Sequence, residues 1–399
     1  MVSRGSSIGM SMIVVATLAA ATAHGQNHYD PGVTDTDIKL GQTVPYSGPV
    51  SAYGTFGRAS LAYFAMTNKK GGVNARKITL LSVDDGFSPP KTVEQVRKLV
   101  ESDQVFFLYA PVGSAPNLAI KQYLNEKEIP QLFVQSGLSS WNDPAHFPWS
   151  MSGLPSYETE VHVFANYILK TKPNAKVAIL FQNDDFGKGY LNGMRSGLGA
   201  RADSMVVATQ SFELSDPTVD SQIVNLSGSG ADVLLIAATS KQTIQALRKA
   251  YELDWHPLKL ISFPAAIVTK TYLPAGIDAS KGALSSSVFV DPTDPASKSD
   301  PNVEGYFTWM DQYYPTGDKF DGLNAAAYVY GQLVVDVLKR CGDLLTRANV
   351  MKQAASFHEF RAAMLRPGMA VNTRPDDYNM FKTLQMLAFD GKNLTPIDN

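Results

Sequence analysis

Hydrophobic and polar positions follow two different patterns along the chain. Short, nearly continuous apolar runs alternate with longer segments in which apolar residues recur every three or four positions. A short apolar run of this kind predicts a strand that is buried on both faces of a parallel sheet. The predicted strands are Ile38–Val44, Ile78–Val83, Val105–Tyr109, Gln131–Val134, Val177–Phe181, Val233–Ala237 and Leu258–Ser262.

The longer segments between these runs predict helices. One helix begins at Ser88-Pro89, where serine can cap the first turn and proline fits it, and its apolar face is formed by Val93, Val96, Leu99 and Val100. Further helices are predicted over Tyr157–Lys170, Gln242–Tyr251 and Ala325–Lys339. Alternation of strand and helix predicts the α/β class with doubly wound parallel sheets. The units are too many for one sheet of common size, so we expect two Rossmann-like lobes.

The N-terminus has a different pattern. An apolar stretch, Ile8–Ala21, follows Arg4 and ends in Ala21-Thr22-Ala23. This order is typical of a secretory signal peptide, and the stretch is shorter than the roughly 20 apolar residues that span a bilayer. We therefore predict a signal peptide over residues 1–25 and an exported mature chain that begins near His24. Because an exported chain with one cysteine has no disulfide framework, we favour a periplasmic location. The alternative is a buried first helix.

Composition excludes several classes of partner. The chain is 44% hydrophobic and 18% charged, which indicates a globular protein, and its net charge is −2. This balance provides neither a basic stripe for nucleic acid nor a polybasic face for anionic lipid. The one cysteine, Cys341, cannot form an intramolecular disulfide. We expect a monomer that uses no cofactor.

Motifs for catalysis or metal binding are weak. The hydrolase-like Gly5-Ser6-Ser7-Ile8-Gly9 lies in the predicted signal peptide rather than between a strand and a helix. The six histidines lack metal-ligand spacing. Asp84-Asp85 and Asp184-Asp185 could act as acid and base, but acids at such loop starts more often cap the next helix. We therefore expect no catalytic and no metal-binding residue.

Loops that follow the predicted strands offer a ligand site instead. In open α/β sheets, ligands bind beyond the carboxyl ends of the strands. Ser114 opens a helix there, and its hydroxyl and the free backbone N–H groups would suit a carboxylate. Each loop taken alone could also be an ordinary turn. The candidate ligand-binding residues are Tyr46, Tyr53, Gly113, Ser114, Gln135, Ser136, Gly137, Phe186, Thr239 and Phe263.

Several of these motifs occur in an order that resembles a known family. They are Ile38–Gly41, Tyr46–Val50 with Tyr53-Gly54, Lys69–Asn74, Asp84-Asp85, Gln182–Gly189 and Ala246–Ala250. The chain resembles, from about residue 35 to 390, the leucine/isoleucine/valine-binding proteins of bacterial ABC importers. It is also similar to the members that take up aromatic acids.

The resemblance implies a type I periplasmic-binding fold, in which two lobes are joined by a three-strand hinge and close on a ligand. The crossings are expected near Gly153, Leu284 and Arg374. Residues 30–152 and 285–373 would then form the N-terminal lobe, and residues 153–284 and 374–396 the C-terminal lobe. The resemblance also implies no enzymatic activity, and the partners implied are a small-molecule ligand and an ABC permease in the inner membrane.

The resemblance also assigns roles within the site. Ser114, together with the loop of Gln135 to Gly137, matches the positions that bind the ligand's carboxylate in the family. Tyr53 and Phe186 match aromatic positions. The loop that begins at Ser262-Phe263 carries no acid where amino-acid binders hold the α-ammonium, and Thr239 stands where they often have tyrosine. The family's disulfide is also missing, because Phe87 and Gly113 stand near the expected cysteine positions.

These departures lead us to expect a small carboxylate with an apolar or aromatic body, since a buried ammonium without a partner costs several kcal/mol. Tyr46, Tyr53, Phe186 and Phe263 would enclose that body. Alternative functions are a binding protein for branched-chain amino acids or amides, a ligand-sensing subunit of a membrane receptor, and, from another class, a carboxylate-dependent hydrolase.

Overall fold

Two β-sheets, each covered by helices, form the framework of the computed structural model. The structure describes residues 1–2, 5 and 29–397. Ile8–Ala21, on which the predicted signal peptide rests, lies outside the described residues. Among the helices of the described part, none has both the length and the apolar character needed to cross a membrane.

The strands divide between the two sheets in chain order. In the first lobe they are β1 Asp37–Val44, β2 Lys77–Asp84, β3 Phe107–Tyr109, β4 Gln131–Val134 and β5 Ser150–Ser152. In the second lobe they are β6 Val177–Gln182, β7 Val206–Phe212, β8 Val233–Ala237, β9 Leu258–Ile261, β10 Leu284–Ser287, β11 Gln385–Phe389 and β12 Leu394–Pro396.

Within residues 29–397, the first sheet has the order β2-β1-β3-β4-β5 and the second has the order β12-β11-β10-β9-β8-β6-β7. All neighbours in the first sheet are parallel. In the second sheet, β11 is antiparallel to both β10 and β12, and the other neighbours are parallel. The sheets therefore confirm the predicted α/β class with two doubly wound lobes.

The helices pack on both faces of these sheets. Their bounds are α1 Gly54–Lys69, α2 Pro89–Arg97, α3 Ser114–Glu126, α4 Tyr157–Thr171, α5 Asp185–Leu198, α6 Ala202–Met205, α7 Asp220–Ser227, α8 Ser240–Glu252, α9 Leu273–Ala275, α10 Ile277–Ser280, α11 Pro301–Tyr313, α12 Gly322–Cys341 and α13 Arg347–Ala354. Short 3-10 and π turns occupy Ser51–Tyr53, Lys98–Ser102, Ser139–Trp141, Gly199–Arg201, Phe263–Ala265, Val268–Tyr272 and Pro295–Ser299.

Strands that sequence analysis missed include two that are rich in serine. β5 and β10 are buried, but hydroxyl groups interrupt their apolar pattern. Those hydroxyls have partners: Ser285 Oγ donates to the Ile261 carbonyl at 2.9 Å, and Ser152 Oγ donates to the Ser136 carbonyl at 2.8 Å. A buried polar group that is hydrogen-bonded carries little penalty. Hydrophobic patterning therefore cannot detect such strands.

The chain passes between the lobes at three places within residues 29–397. The first passage follows β5. The second follows β10 and the third precedes β11, so both lie further along the chain than the expected Leu284 and Arg374. Between the second and third passages, α11 to α13 pack into the core of the first lobe. Phe381 and Leu384, just before β11, are apolar and are buried in the same core.

A close contact between α1 and α12 anchors this core. Gly331 of α12 faces Tyr63 of α1, and a Cβ added at Gly331 would lie 2.3 Å from Tyr63 Cδ1. Trp309 and Tyr328 pack around the same Tyr63 ring, with ring centroids 6.2 and 5.3 Å away. The ring therefore has little room to move.

We expect Gly331→Ala to destabilise the protein by about 1–3 kcal/mol, the usual cost of overpacking a core. Gly305→Ala on the exposed face of α11 is the matched control, because its nearest neighbour would be Tyr328 Oη at 3.8 Å. That control should stabilise the helix by roughly 0.5–1 kcal/mol. Urea unfolding measures both changes. An unfolding midpoint for Gly331→Ala at or above that of the wild type would contradict this packing.

Candidate functional site

One cavity lies where strands of both sheets reach their carboxyl ends. Its volume is about 130 Å³. The first lobe lines it with loops that follow β1 to β4, and the second lobe with loops that follow β6, β8 and β9. Aromatic side chains dominate the wall: Tyr53, Phe56, Phe87, Tyr157, Phe186, Phe263 and Phe289. An apolar cavity of about 150 Å³ accepts a benzene ring, so the space suits a small ligand.

Most of the predicted site residues lie in the wall of this cavity. They are Tyr53, Gly113, Ser114, Gln135, Phe186, Thr239 and Phe263. Their role in binding stays a prediction. Tyr46, Ser136 and Gly137 are not among the described lining residues. Tyr46 instead packs behind α1, where its hydroxyl is 2.6 Å from Ser82 Oγ and its ring lies under the Arg58 guanidinium.

Ser136 and Gly137 support the wall from behind. Ser136 Oγ lies 2.7 Å from Ser114 Oγ, so the two hydroxyls share a hydrogen bond. Gly137 accepts a hydrogen bond from the Tyr157 backbone N–H at 2.7 Å. A Cβ at Gly137 would lie 2.2 Å from the Pro155 carbonyl oxygen and 2.6 Å from the Tyr157 ring. A side chain at this position would therefore displace Tyr157 from the cavity.

The start of α3 brings polar groups to the first-lobe wall. Gly113 precedes the helix with φ at 104°, and no side chain of the described residues caps the first turn. The backbone N–H groups of this turn have no helical partner. Ser114 Oγ, which is also 3.5 Å from Tyr157 Oη, lies beside them. Hydroxyl and amide donors at a helix N-terminus favour an anion such as a carboxylate.

Phe87 closes the cavity over this turn. A Cβ at Gly113 would lie 2.5 Å from Phe87 Cε2, so the ring occupies the space beside Gly113. These are the two positions at which the resemblance implied the family's missing disulfide. Asp85 Oδ1 accepts the Phe87 N–H at 3.0 Å and holds the residue at φ 60°. Ring packing therefore joins the loops that follow β2 and β3.

Asp84 and Asp184, from the two carboxylate pairs considered for catalysis, stabilise loops. Asp84 accepts hydrogen bonds from Ser47 Oγ at 2.6 Å and from Lys91 Nζ at 2.8 Å. Asp184 caps α5 by accepting the Gly187 N–H at 3.1 Å. Among the described residues, no cluster of three or more histidine, cysteine or acidic side chains could hold a metal ion.

A buried carboxyl that sequence analysis missed holds the second-lobe wall. Glu160 of α4 is 1% exposed. It accepts hydrogen bonds from Ser286 Oγ at 2.6 Å, from the Phe263 N–H at 3.1 Å and from Tyr190 Oη. Burial raises the pKa of Glu160 to about 7. A charged residue within the apolar stripe of a helix is the signal that could have identified it.

Rings beside Glu160 complete this wall. Tyr157, Phe186 and Tyr190 form an aromatic cluster with centroid separations of 4.8 to 5.3 Å. Tyr157 and Phe186 reach the cavity, and Tyr190 lies behind them. Glu160 therefore positions Phe263 by accepting its backbone N–H. It positions the aromatic cluster by accepting a hydrogen bond from Tyr190 Oη.

The two lobes contact each other directly across the mouth of the cavity. Tyr53 Oη of the first lobe donates to the Pro264 carbonyl of the second at 2.8 Å. Lys270 Nζ lies 3.2 Å from Asp321 Oδ2 and 3.4 Å from Thr55 Oγ1. Asp321 is 1% exposed and caps α12 by accepting the Leu323 N–H. These contacts join the two lobes beside the cavity.

The chain is similar to proteins of known class. A family model described as periplasmic binding protein matches residues 37–391. The Leu/Ile/Val-binding protein BraC3 of Rhizobium johnstonii is 27% identical over 49% of this chain and 51% of its own length. The Leu/Ile/Val-binding protein of Escherichia coli K12 is 23% identical over 54% of this chain and 58% of its own. The chain thus spans little more than half the length of these curated relatives.

Solved structures share the fold over nearly the whole chain. A substrate-binding periplasmic protein from Ralstonia solanacearum has a TM-score of 0.81 and 20% identity, and the match covers 90% of this chain and 99% of that one. A branched chain amino acid ABC transporter protein from Thermus thermophilus with bound valine has a TM-score of 0.82 and 17% identity, covering 92% and 96%. The type I periplasmic-binding fold implied by the motifs is confirmed.

Glu160 predicts a specific dependence of stability on pH. Its folded pKa of about 7 lies above the ordinary 4.5, so the unfolded chain releases this proton first as pH rises. The contribution of Glu160 to the free energy of unfolding therefore falls between about pH 4.5 and pH 7, by roughly 3 kcal/mol at about 1.4 kcal/mol per pKa unit. Glu160→Gln should lack this decline.

Thermal unfolding of both proteins at pH 5, 6, 7 and 8 measures the difference. Comparison with the variant removes the contribution of every other titrating group. Glu94→Gln on the exposed face of α2 is the control, and it should follow the wild type. Parallel curves for the wild type and Glu160→Gln would show that Glu160 ionises normally and contradict the prediction.

Proposed function

Because the chain belongs to the periplasmic binding protein family, we propose that it captures a small solute between its lobes and delivers it to an ABC permease in the inner membrane. We further propose that the solute is a small carboxylate with an apolar or aromatic body. Release into the periplasm after removal of the predicted signal peptide is part of the same proposal.

The composition of the cavity wall carries this proposal. Its many rings offer faces and edges to an apolar or aromatic ligand, and each aromatic contact contributes roughly 0.5–1.5 kcal/mol. Ser114 and the uncapped turn of α3 supply donors for a carboxylate in the same wall. An aromatic acid satisfies both features at once.

The proposal of an aromatic acid rather than an amino acid rests on the acids near the cavity. Among the described lining residues, Asp291 is the one acid. Its Oδ1 accepts the Thr293 N–H at 2.9 Å, and its Oδ2 is buried without a hydrogen-bond partner among the described residues. Glu160 lies behind Phe263 and already accepts three hydrogen bonds. An α-ammonium would therefore lose its hydration without gaining an accessible carboxylate.

A branched-chain amino acid is the second candidate. It is favoured by the names of the curated relatives, which are Leu/Ile/Val-binding proteins, and by the valine bound to the Thermus thermophilus protein. The aliphatic side chain of leucine or valine would fit the same apolar wall. For this ligand, Asp291 would have to turn its carboxylate into the cavity.

Calorimetric titration with benzoate, leucine and valine distinguishes the two candidates. We expect benzoate to bind more tightly than either amino acid. Ser114→Ala should weaken benzoate binding by roughly tenfold to a hundredfold, because a hydrogen bond to a charged group contributes about 1.5–3 kcal/mol. Ser204→Ala, on the exposed surface of the second lobe, is the control and should bind like the wild type.

Tighter binding of leucine or valine would establish the second candidate. Unchanged benzoate affinity in Ser114→Ala would remove Ser114 from the site. If none of the three compounds binds, the proposed ligand class is wrong.

The ion pair between the lobes should contribute to affinity. Lys270→Met removes the partner of buried Asp321, so the closed form loses stability relative to an open one. We expect the dissociation constant for the tightest of these ligands to rise about two- to tenfold, in the range for a partly exposed ion pair. Lys249→Met, which breaks a 3.2 Å pair with Glu252 within one lobe, is the matched control.

The same calorimetric titrations measure this effect. An unchanged dissociation constant for Lys270→Met, with Lys249→Met also unchanged, would mean that the ion pair does not contribute to ligand enclosure.

A further inference from the structure

A buried arginine lines the cavity where the chain passes between the lobes. Arg366 is 9% exposed and lies in the wall. Its backbone is paired with the second passage: the Arg366 N–H donates to the Val288 carbonyl and the Val290 N–H donates to the Met364 carbonyl, both at 2.9 Å. Phe289 and Leu365 form an antiparallel bridge between these bonds. The position of Arg366 is therefore fixed by backbone hydrogen bonds.

Few hydrogen bonds compensate for the burial of the Arg366 guanidinium. A guanidinium carries five N–H donors. In the described part of the chain, the side chain of Arg366 makes one hydrogen bond, a 3.4 Å contact from Nη1 to the Phe289 carbonyl. Within the described residues its side chain forms no ion pair shorter than 4.0 Å, and the carboxyls of Asp291 and Asp294 act on it electrostatically. Burial lowers the pKa of Arg366.

The surroundings of Arg366 in the wall are otherwise mostly apolar. Val290 and Pro292, in the segment that pairs with the backbone beside Arg366, line the cavity on either side of Asp291, which lines it as well. A buried charge without a close partner is costly, and a carboxylate is the group that matches the planar fork of arginine. An anionic group of the ligand would supply that partner.

Arg366 and Ser114 have separate surroundings. Ser114 lies among Ser136, Tyr157 and Phe87, in loops of the first lobe and at the start of α4. Arg366 lies beside Phe289, which packs on Phe263 with ring centroids 5.9 Å apart. No hydrogen bond of the described residues joins these two groups. Two anchoring points in one apolar cavity suit a ligand with two anionic groups.

We propose that Arg366 binds a second carboxylate of the ligand, so that the preferred solute is a small dicarboxylate with an apolar or aromatic body. This inference rests on the proposed function, because it assumes a ligand whose first carboxylate lies at Ser114. Arg366 then selects dicarboxylates over monocarboxylates of the same shape.

Calorimetric titration of the whole protein with benzoate, terephthalate and monomethyl terephthalate tests the inference. Terephthalate should bind at least roughly tenfold more tightly than the other two, which carry one charge. Arg366→Met should weaken terephthalate binding by roughly tenfold to a hundredfold and change benzoate binding by less than about threefold. Arg361→Met is the control, because this exposed arginine lies 3.7 Å from Glu359, outside the cavity.

Each of the other possible results contradicts either the second carboxylate or the proposed function. Equal binding of terephthalate and its monomethyl ester would overturn the second carboxylate without any variant, so the test does not depend on the folding of Arg366→Met. An equal loss for benzoate and terephthalate in Arg366→Met would mean that one carboxylate contacts both anchors, which also overturns it. Benzoate binding that depends on Ser114 would leave the proposed function intact in both cases. Failure of all three acids to bind would overturn the proposed function itself.

Discussion

The passages of the chain between two sheets are the constraint on which the site depends. Because β5, β10 and β11 lie at the passages, the carboxyl ends of the parallel strands in both lobes face one cavity. The loops that follow these strands can then combine, although they are far apart in the sequence. The same passages make Arg366 and Phe289 part of the wall, since the segments around them are hydrogen-bonded to each other.

Burial governs the chemistry of this wall. The cavity is lined mainly by aromatic rings. A polar group buried near it therefore either forms hydrogen bonds within the protein or destabilises the folded state. Glu160 is held by three donors and positions Phe263, whereas Arg366 has one long hydrogen bond. Ser114 shares its hydroxyl hydrogen bond with Ser136 beside an uncapped helix turn. Donors thus prevail over accessible acceptors, and that balance favours an anionic ligand over a cationic one.

Much of the fold and part of the cavity wall could be predicted from the sequence. The strands and site residues that were missed or misplaced have physical explanations. Gln131–Val134 and Val233–Ala237 were predicted at their observed bounds because they are short apolar runs between turns. The resemblance to Leu/Ile/Val-binding proteins is confirmed by the family model. Serine-rich β10 was missed because its hydroxyls are satisfied only by tertiary partners. Tyr46 was placed in the site because it follows β1, yet its hydroxyl turns to Ser82. Arg366 gave no local signal, since its place in the wall depends on pairing with a distant segment.

The position of the ligand's carboxylate is the most direct test of how this cavity works. A crystal structure of the protein grown with an aromatic acid that binds in solution would determine that position. We expect density inside the cavity, with one carboxylate oxygen within about 3.2 Å of Ser114 Oγ, the first-turn N–H groups of α3 beside it, and the ring against Phe186 and Phe263. A carboxylate directed away from Ser114, or a ligand bound outside the cavity, would contradict the account.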